Sequence, residues 1–291
     1  MYPAALKIIE RNHLVNSIHS KSFLHERKTL ETEIHIHVIC PQLVNYVAND
    51  HFLDSKEIER RNAFIFEKDR NLYQAAHVFL RKMLSQYADI NPECWMFTSN
   101  HFGKPAIKNV GQEFLSFNLS HTHGMIVCAI GYKHDLGIDI EGSQALPDLA
   151  DLCRLTLADH EKDHVLSMPL GKQEKVFYRY WTLKEAYVKA LGKGLTIPLT
   201  KIKYEVKKNG NWLCSVDIPE SNDDLYALYY DLPENYSLAF CAKITERDHL
   251  PKLRLFNWNH RSHSEYLNFN VGPKFDTTTP AAAMLKHGSS G

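Results

Sequence analysis

No run in the chain approaches the ~20 consecutive apolar residues that a membrane span requires, so no membrane association is expected. Neither sign of charge is in excess. Thirty-four Lys and Arg balance thirty-four Asp and Glu, leaving no global field to draw the protein to nucleic acid or an anionic surface. Any anion it binds must be held by a local cluster. No Cys-x-x-Cys pair occurs among the six cysteines, and several sit in apolar runs such as MIVCAIGY and YSLAFCAK. Buried, reduced thiols and a cytoplasmic location are therefore expected rather than a disulfide framework. The amino-terminal stretch lacks the apolar core and small-residue cleavage site of a secretory signal.

What is present suits a soluble protein with a packed core: 291 residues, 44% hydrophobic and 23% charged, enough for one large domain or two moderate ones. Residues 1–33 are polar and mixed, and read as an extension. Ile34–Cys40 (IHIHVIC) alternates with period two and predicts a strand. A helical stretch is expected from Ser55 to Tyr87, then short strands near Trp95–Thr98, Leu115–Leu119 and Met125–Tyr132. The order then recurs: a strand over Leu136–Glu141, helices over Leu149–Ser167 and Gln173–Leu191, and strands at 202–206, 212–216, 225–230 and 237–244. This predicts an α+β protein of two pseudo-symmetric halves, 34–133 and 134–246, each a small, mostly antiparallel sheet packed with helices. Residues 247–291 are expected to be a C-terminal tail.

The sharpest chemistry lies in Gly137-Ile138-Asp139-Ile140-Glu141. On a strand, Asp139 and Glu141 share one face while the isoleucines enter a core on the other. Two close carboxylates repel and raise a pKa unless a cation stands between them, and Mg²⁺ with substrate phosphates is one resolution. A solvent-facing acidic edge is the other. Forty residues on, Trp181-Thr182-Leu183-Lys184-Glu185-Ala186-Tyr187-Val188-Lys189 reads as a helix with Trp181, Glu185 and Lys189 on one face. Glu185 and Lys189 are either a surface ion pair, contributing about 0.2–0.5 kcal/mol, or a metal carboxylate beside a phosphate-binding ammonium.

GIDIE followed by WTLKEAYVKALGKGL resembles the paired signature blocks, G-x-D-x-E and W-x-x-K-E-x-x-x-K, of the 4'-phosphopantetheinyl transferases. FYRYW and GKGL resemble the larger, surfactin-synthetase-activating type, and Phe102-Gly103-Lys104-Pro105 and Phe117-Asn118-Leu119-Ser120-His121 match two upstream blocks in the right order. The resemblance covers residues 55–245. It implies Mg²⁺, with Mn²⁺ as an alternative, held by Asp139, Glu141 and Glu185 against the pyrophosphate of coenzyme A. Lys189 would contact that pyrophosphate, Lys184 would face the cofactor at a different angle from the helix, Ser120 and His121 would hold phosphate oxygens, and Gly103 and Lys104 would meet the adenosine-side phosphate. Arg60 and Arg70 would contact the 3'-phosphate. The first half would thus bind coenzyme A, and the second would carry the metal and catalytic motifs.

Lys189 and His121 would assist catalysis, and Glu161 would be the general base, twenty residues before Trp181. Its block is an imperfect match, so Asp159 or a metal-bound hydroxide remains an alternative base. The reaction implied is transfer of the phosphopantetheine arm to a serine of an apo acyl or peptidyl carrier protein, with release of 3',5'-ADP, by a monomer. The rivals are a Mg²⁺-dependent coenzyme A pyrophosphate hydrolase and a non-catalytic coenzyme A-binding protein on the same fold.

Overall fold

The computed structural model describes residues 27–44, 46–206, 212–216, 225–244, 250–260, 263–267 and 271–273. The chain divides into two compact units. Among the described residues, one holds those from 27 to 100, Pro105–Lys133 and Leu253–Tyr266; the other holds His101–Lys104, His134–Lys252, Leu267 and Val271–Pro273.

The first unit opens with strand β1 (Glu33–Ile39), followed by helices α1 (Ser55–Asn62) and α2 (Glu67–Leu84). The single helix expected from 55 to 87 is therefore two. A capping box starts α1: Asp54 accepts from the Glu57 N–H, and the Glu57 carboxylate accepts from the Asp54 N–H, both at 2.9 Å. The break after α1 is held by Arg70, which donates from Nη1 to the carbonyls of Phe64 and Ile65, each at 2.8 Å. Glu57 anchors α1 on α2, accepting from buried Arg81 at 2.6 Å and standing 2.7 Å from His77 Nδ1. Strands β2 (Phe97–Ser99) and β3 (Pro105–Ile107) form a small ladder, and β4 (Leu115–Thr122) and β5 (Met125–Tyr132) form a hairpin.

The expected tail supplies β11 (Lys252–Asn257) and β12 (His263–Leu267) to this unit, giving a five-stranded sheet in the order β12-β11-β1-β5-β4. His35 and His37 explain why. Both lie buried on the β1 face that shares its register with Ile130 and Cys128. Trp258, just after β11, donates to His37 Nδ1 at 3.2 Å. That leaves His37 Nε2–H to donate to the Tyr87 hydroxyl at 2.8 Å, Tyr87 to donate to His35 Nδ1 at 2.7 Å, and His35 Nε2–H to meet Glu33 at 3.0 Å. Burial lowers the His35 pKa to about 4 against the opposing Glu33 carboxylate, and burial, with the neighbouring His35 next, holds that of His37 well below its ordinary value. Both rings are neutral at neutral pH and act as satisfied core groups.

The second unit runs β6 (Asp135–Gly142), α3 (Leu149–Thr156), α4 (Asp159–Ser167), α5 (Gln173–Leu191), β7 (Ile202–Val206), β8 (Trp212–Val216), β9 (Leu225–Leu232) and β10 (Tyr236–Lys243), with β13 (Val271–Pro273) from the end of the chain. Its sheet has the order β6-β10-β9-β13-β8-β7 and is antiparallel except between β13 and β8. Each unit thus passes from a strand through helices to a hairpin whose second strand pairs with the first, as β1-β5-β4 and as β6-β10-β9. This recurrence is the pseudo-symmetry of an α+β fold of two like halves.

Candidate functional site

Helix α5 lies directly on β6 and β10. The β6 and β10 positions beneath it are small: Gly137, Ala239 and Cys241 share the face that carries Asp139 and Glu141. A Cβ on Gly137 would stand 1.9 Å from the Ala186 carbonyl oxygen and 2.4 Å from the Ala190 nitrogen, so only glycine admits the helix at this distance. The opposite face of β6 presents Leu136, Ile138 and Ile140, all buried. The alternation read from the sequence therefore turns both acids toward the helix. Asp139 is only 4% exposed, which disposes of the solvent-facing edge for that residue.

The close approach fixes the chemistry. Lys189 Nζ is 2.6 Å from Asp139 Oδ1 and donates to the Ile138 carbonyl at 3.2 Å. Glu185, half-buried one turn earlier, has its pKa raised by burial and next by the Asp139 charge, with Lys189 opposing. Asp139, Glu185 and Lys189 thus form one electrostatic group. Glu141 lies farther along the helix, beside Tyr178, whose pKa is raised by burial and then by the Glu141 charge. The three carboxylates are strung along α5. Among the described residues, no three His, Cys, Asp or Glu side chains are gathered closely enough to hold a metal by themselves.

Two of the residues expected at the substrate have other work. Lys184 is fully buried; its Nζ donates to the carbonyls of Thr156 (3.1 Å), Leu199 (2.9 Å) and Ile202 (2.8 Å) and pairs with Glu161 at 2.5 Å. Glu161, also fully buried, accepts from the Ala158 N–H on one oxygen and the Tyr204 N–H on the other, both at 2.8 Å. A general base must reach the proton it removes, and Glu161 is enclosed with both oxygens engaged. To serve as base and as coenzyme A contact, the roles the resemblance implied, Glu161 and Lys184 would have to leave these partners. Asp159 is exposed and ion-paired to Lys162 at 2.8 Å, and that hydrogen bond lowers its pKa.

Lys104, in the second unit, donates to the Ala190 carbonyl at 2.7 Å, near the last turn of α5, where helix carbonyls lack partners. Gly103 precedes it at φ +88°, a conformation glycine adopts without strain. Gly192, at φ +62°, ends α5 in the left-handed form. In the first unit Ser120 is buried and His121 half-buried on β4, Arg60 is exposed, and Arg70 holds the turn described above. One residue was missed and another was named without its role. Tyr204 donates its hydroxyl to the Leu183 carbonyl at 3.0 Å and its N–H to Glu161, a role without a local sequence signal. Gly137 was legible only as the first letter of a motif.

A family model described as the 4'-phosphopantetheinyl transferase superfamily matches residues 135–241, and one described as 4'-phosphopantetheinyl transferase, N-terminal, matches residues 40–133. The chain belongs to the 4'-phosphopantetheinyl transferase superfamily. Among its relatives, the 4'-phosphopantetheinyl transferase HetI of Nostoc sp. is 35% identical over 144 residues, 49% of this chain and 61% of that protein. The 4'-phosphopantetheinyl transferase Sfp of Bacillus subtilis is 26% identical over 191 residues, 66% of this chain and 82% of that protein. The match thus spans about three fifths of the first relative and four fifths of the second. A solved holo-(acyl-carrier-protein) synthase from Bacillus anthracis, in complex with CoA (3',5'-ADP), aligns with 37% of this chain and 92% of its own at 17% identity and a TM-score of 0.32, too slight an overlap to bear on the site.

Proposed function

We propose that this chain transfers the 4'-phosphopantetheine arm of coenzyme A to a serine of an apo acyl or peptidyl carrier protein and releases 3',5'-ADP. The observation that carries this reading is the seating of α5 on Gly137, which sets the Lys189 ammonium against Asp139 and places Glu185 in the Asp139 field. Asp139, Glu185 and Glu141 would hold Mg²⁺, or Mn²⁺ in its place. The donors are all carboxylate oxygens, two of them in mutual repulsion, and Mg²⁺ is ordinarily held by one or two carboxylates together with substrate oxygens and water. A closed protein cage is therefore not required. When bound, the ion supplies positive charge at the pyrophosphate.

The chain's own residues do the rest. Lys189 has an ammonium that can turn from Asp139 to a phosphate oxygen and stabilise the departing ADP. The Gly103 turn, held at the end of α5 by Lys104, offers backbone for close approach by an anion. Ser120 and His121 on β4, with Arg60 on α1, are proposed for the remaining phosphate oxygens. Arg70, committed to two backbone carbonyls, is not. The carrier serine oxygen attacks the phosphorus on the pantetheine side, and the bond to the ADP oxygen breaks. The serine proton passes to an acceptor other than Glu161. Such a protein would work as a monomer in the cytoplasm.

The test is to incubate the purified protein with coenzyme A, Mg²⁺ and a panel of apo-carriers and weigh the carriers. A gain of the phosphopantetheine mass with equimolar 3',5'-ADP is expected. Coenzyme A cleaved beside unmodified carriers would identify a hydrolase, and carriers unmodified throughout would overturn the transferase reading.

A further inference from the structure

Lys184 and Glu161 occupy positions where two of the most costly groups to bury stand fully enclosed, and each is completely satisfied. The Lys184 ammonium has three backbone carbonyls and one carboxylate as partners, and the Glu161 carboxylate has two backbone N–H groups and that ammonium. The partners come from separate places in the chain. Thr156 closes α3, Ala158 caps α4, Leu199 leads into β7, and Ile202 and Tyr204 lie within β7. Tyr204 adds a second tie by donating to the Leu183 carbonyl, the residue before Lys184. All these tethers meet α5 on the turn that also carries Glu185, and Lys189 follows one turn later.

An apolar pair could fill the same space, and replacing buried ion pairs by packed apolar side chains is often neutral or stabilising. What an apolar pair lacks is direction. Lys184 fixes the rotation and the axial setting of α5 at one residue, because its ammonium meets three carbonyls at once. Rotation of α5 by a fraction of a turn would carry Glu185 and Lys189 off β6. On the transferase reading given above, we propose that Lys184 and Glu161 are positioning residues that hold this turn of α5 in register with Asp139, and that neither touches substrate.

The test compares Lys184→Met, Lys184→Arg and Glu161→Gln with the wild type in the carrier-modification assay, with amide hydrogen exchange read across residues 181–191 of the same samples. Positioning is expected to lower kcat by about 100-fold or more in Lys184→Met with a change in KM for coenzyme A under about threefold, since the groups displaced act in the transition state. Lys184→Arg should recover at least tenfold of that loss, and exchange at the 185–189 amides should quicken. Glu161→Gln should leave the midpoint of the acid limb of the pH–rate profile in place. If Lys184→Met does not fold, Glu161→Gln, which keeps the ammonium and its three carbonyls, carries the same kcat, KM and exchange comparison. A raised KM with kcat retained would make Lys184 a substrate contact, and loss of the acid limb in Glu161→Gln with unchanged exchange would make Glu161 the base. Either result overturns the proposal. Failure of the wild type to modify any carrier would overturn the functional reading instead, and unaltered exchange in both variants would still overturn the positioning claim.

Discussion

Glu57 shows how single side chains set the pH tolerance of the first unit. Burial alone would raise its pKa, but His77 and Arg81 outweigh it and hold the carboxyl at about 2, against an ordinary value near 4.5. A depressed carboxyl contributes stability above its unfolded pKa and loses it as pH falls through the folded value. Between about pH 4.5 and pH 2 the protein should therefore lose roughly 3 kcal/mol from this group. Thermal unfolding of Glu57→Gln should be lower than wild type at pH 7 and converge with it near pH 2. Glu185 carries the opposite sign. Its raised pKa means the ionised form costs stability, so wild type should weaken as pH rises through the Glu185 folded-state pKa. Glu185→Gln should therefore melt higher than wild type at pH 7 yet transfer at least ~100-fold more slowly, a stability–activity trade at one residue. Asp139→Asn should likewise keep its far-UV spectrum while kcat falls by about two orders of magnitude or more. Retained turnover would remove it from the metal assignment.

Between elements, the contact of α5 with β6 depends on one missing side chain. Gly137→Ala would place a methyl 1.9 Å from the Ala186 carbonyl oxygen, and backbone cannot yield as a flexible side chain can. Overpacking of this kind costs about 1–3 kcal/mol or more. The variant should melt several degrees lower, and its residual activity should fall further than its folded fraction, because α5 must lift away from Asp139. The sequence pattern was enough to place Gln173–Leu191 as a helix, with its terminating glycine, and to turn Asp139 and Glu141 to a common face. It was not enough to divide 55–87 into α1 and α2. Arg70 holds that break, and its partners are the carbonyls of Phe64 and Ile65, whose positions no local propensity encodes. Nor could a matching motif distinguish Lys184 from Lys189. Both are lysines on one helix, five residues apart, and only the surrounding carbonyls show that one is enclosed while the other reaches Asp139.

At the scale of the whole molecule, the C-terminal segment is part of the fold. Truncation before Pro251 would remove β11 and β12, leave β1 as an edge strand, and strip Trp258 and Phe256 from His37, whose ring stacks on Phe256 at a centroid distance of 4.9 Å. An uncovered polar chain in the core and a newly open strand edge both disfavour folding. The truncated chain should be recovered mainly as aggregate, and soluble protein with wild-type melting would contradict this account. The sequence by itself determined the alternation of strand and helix, the twofold recurrence of that order and the acidic strand with its answering helix, because these follow from periodicity and residue type along one stretch of chain. Tertiary structure decided how near α5 comes to β6, which charges are enclosed and which remain available, and that residues 252–267 complete a sheet begun at Glu33. Those outcomes depend on distances between segments as much as 233 residues apart, and distance in space is not written in any local pattern.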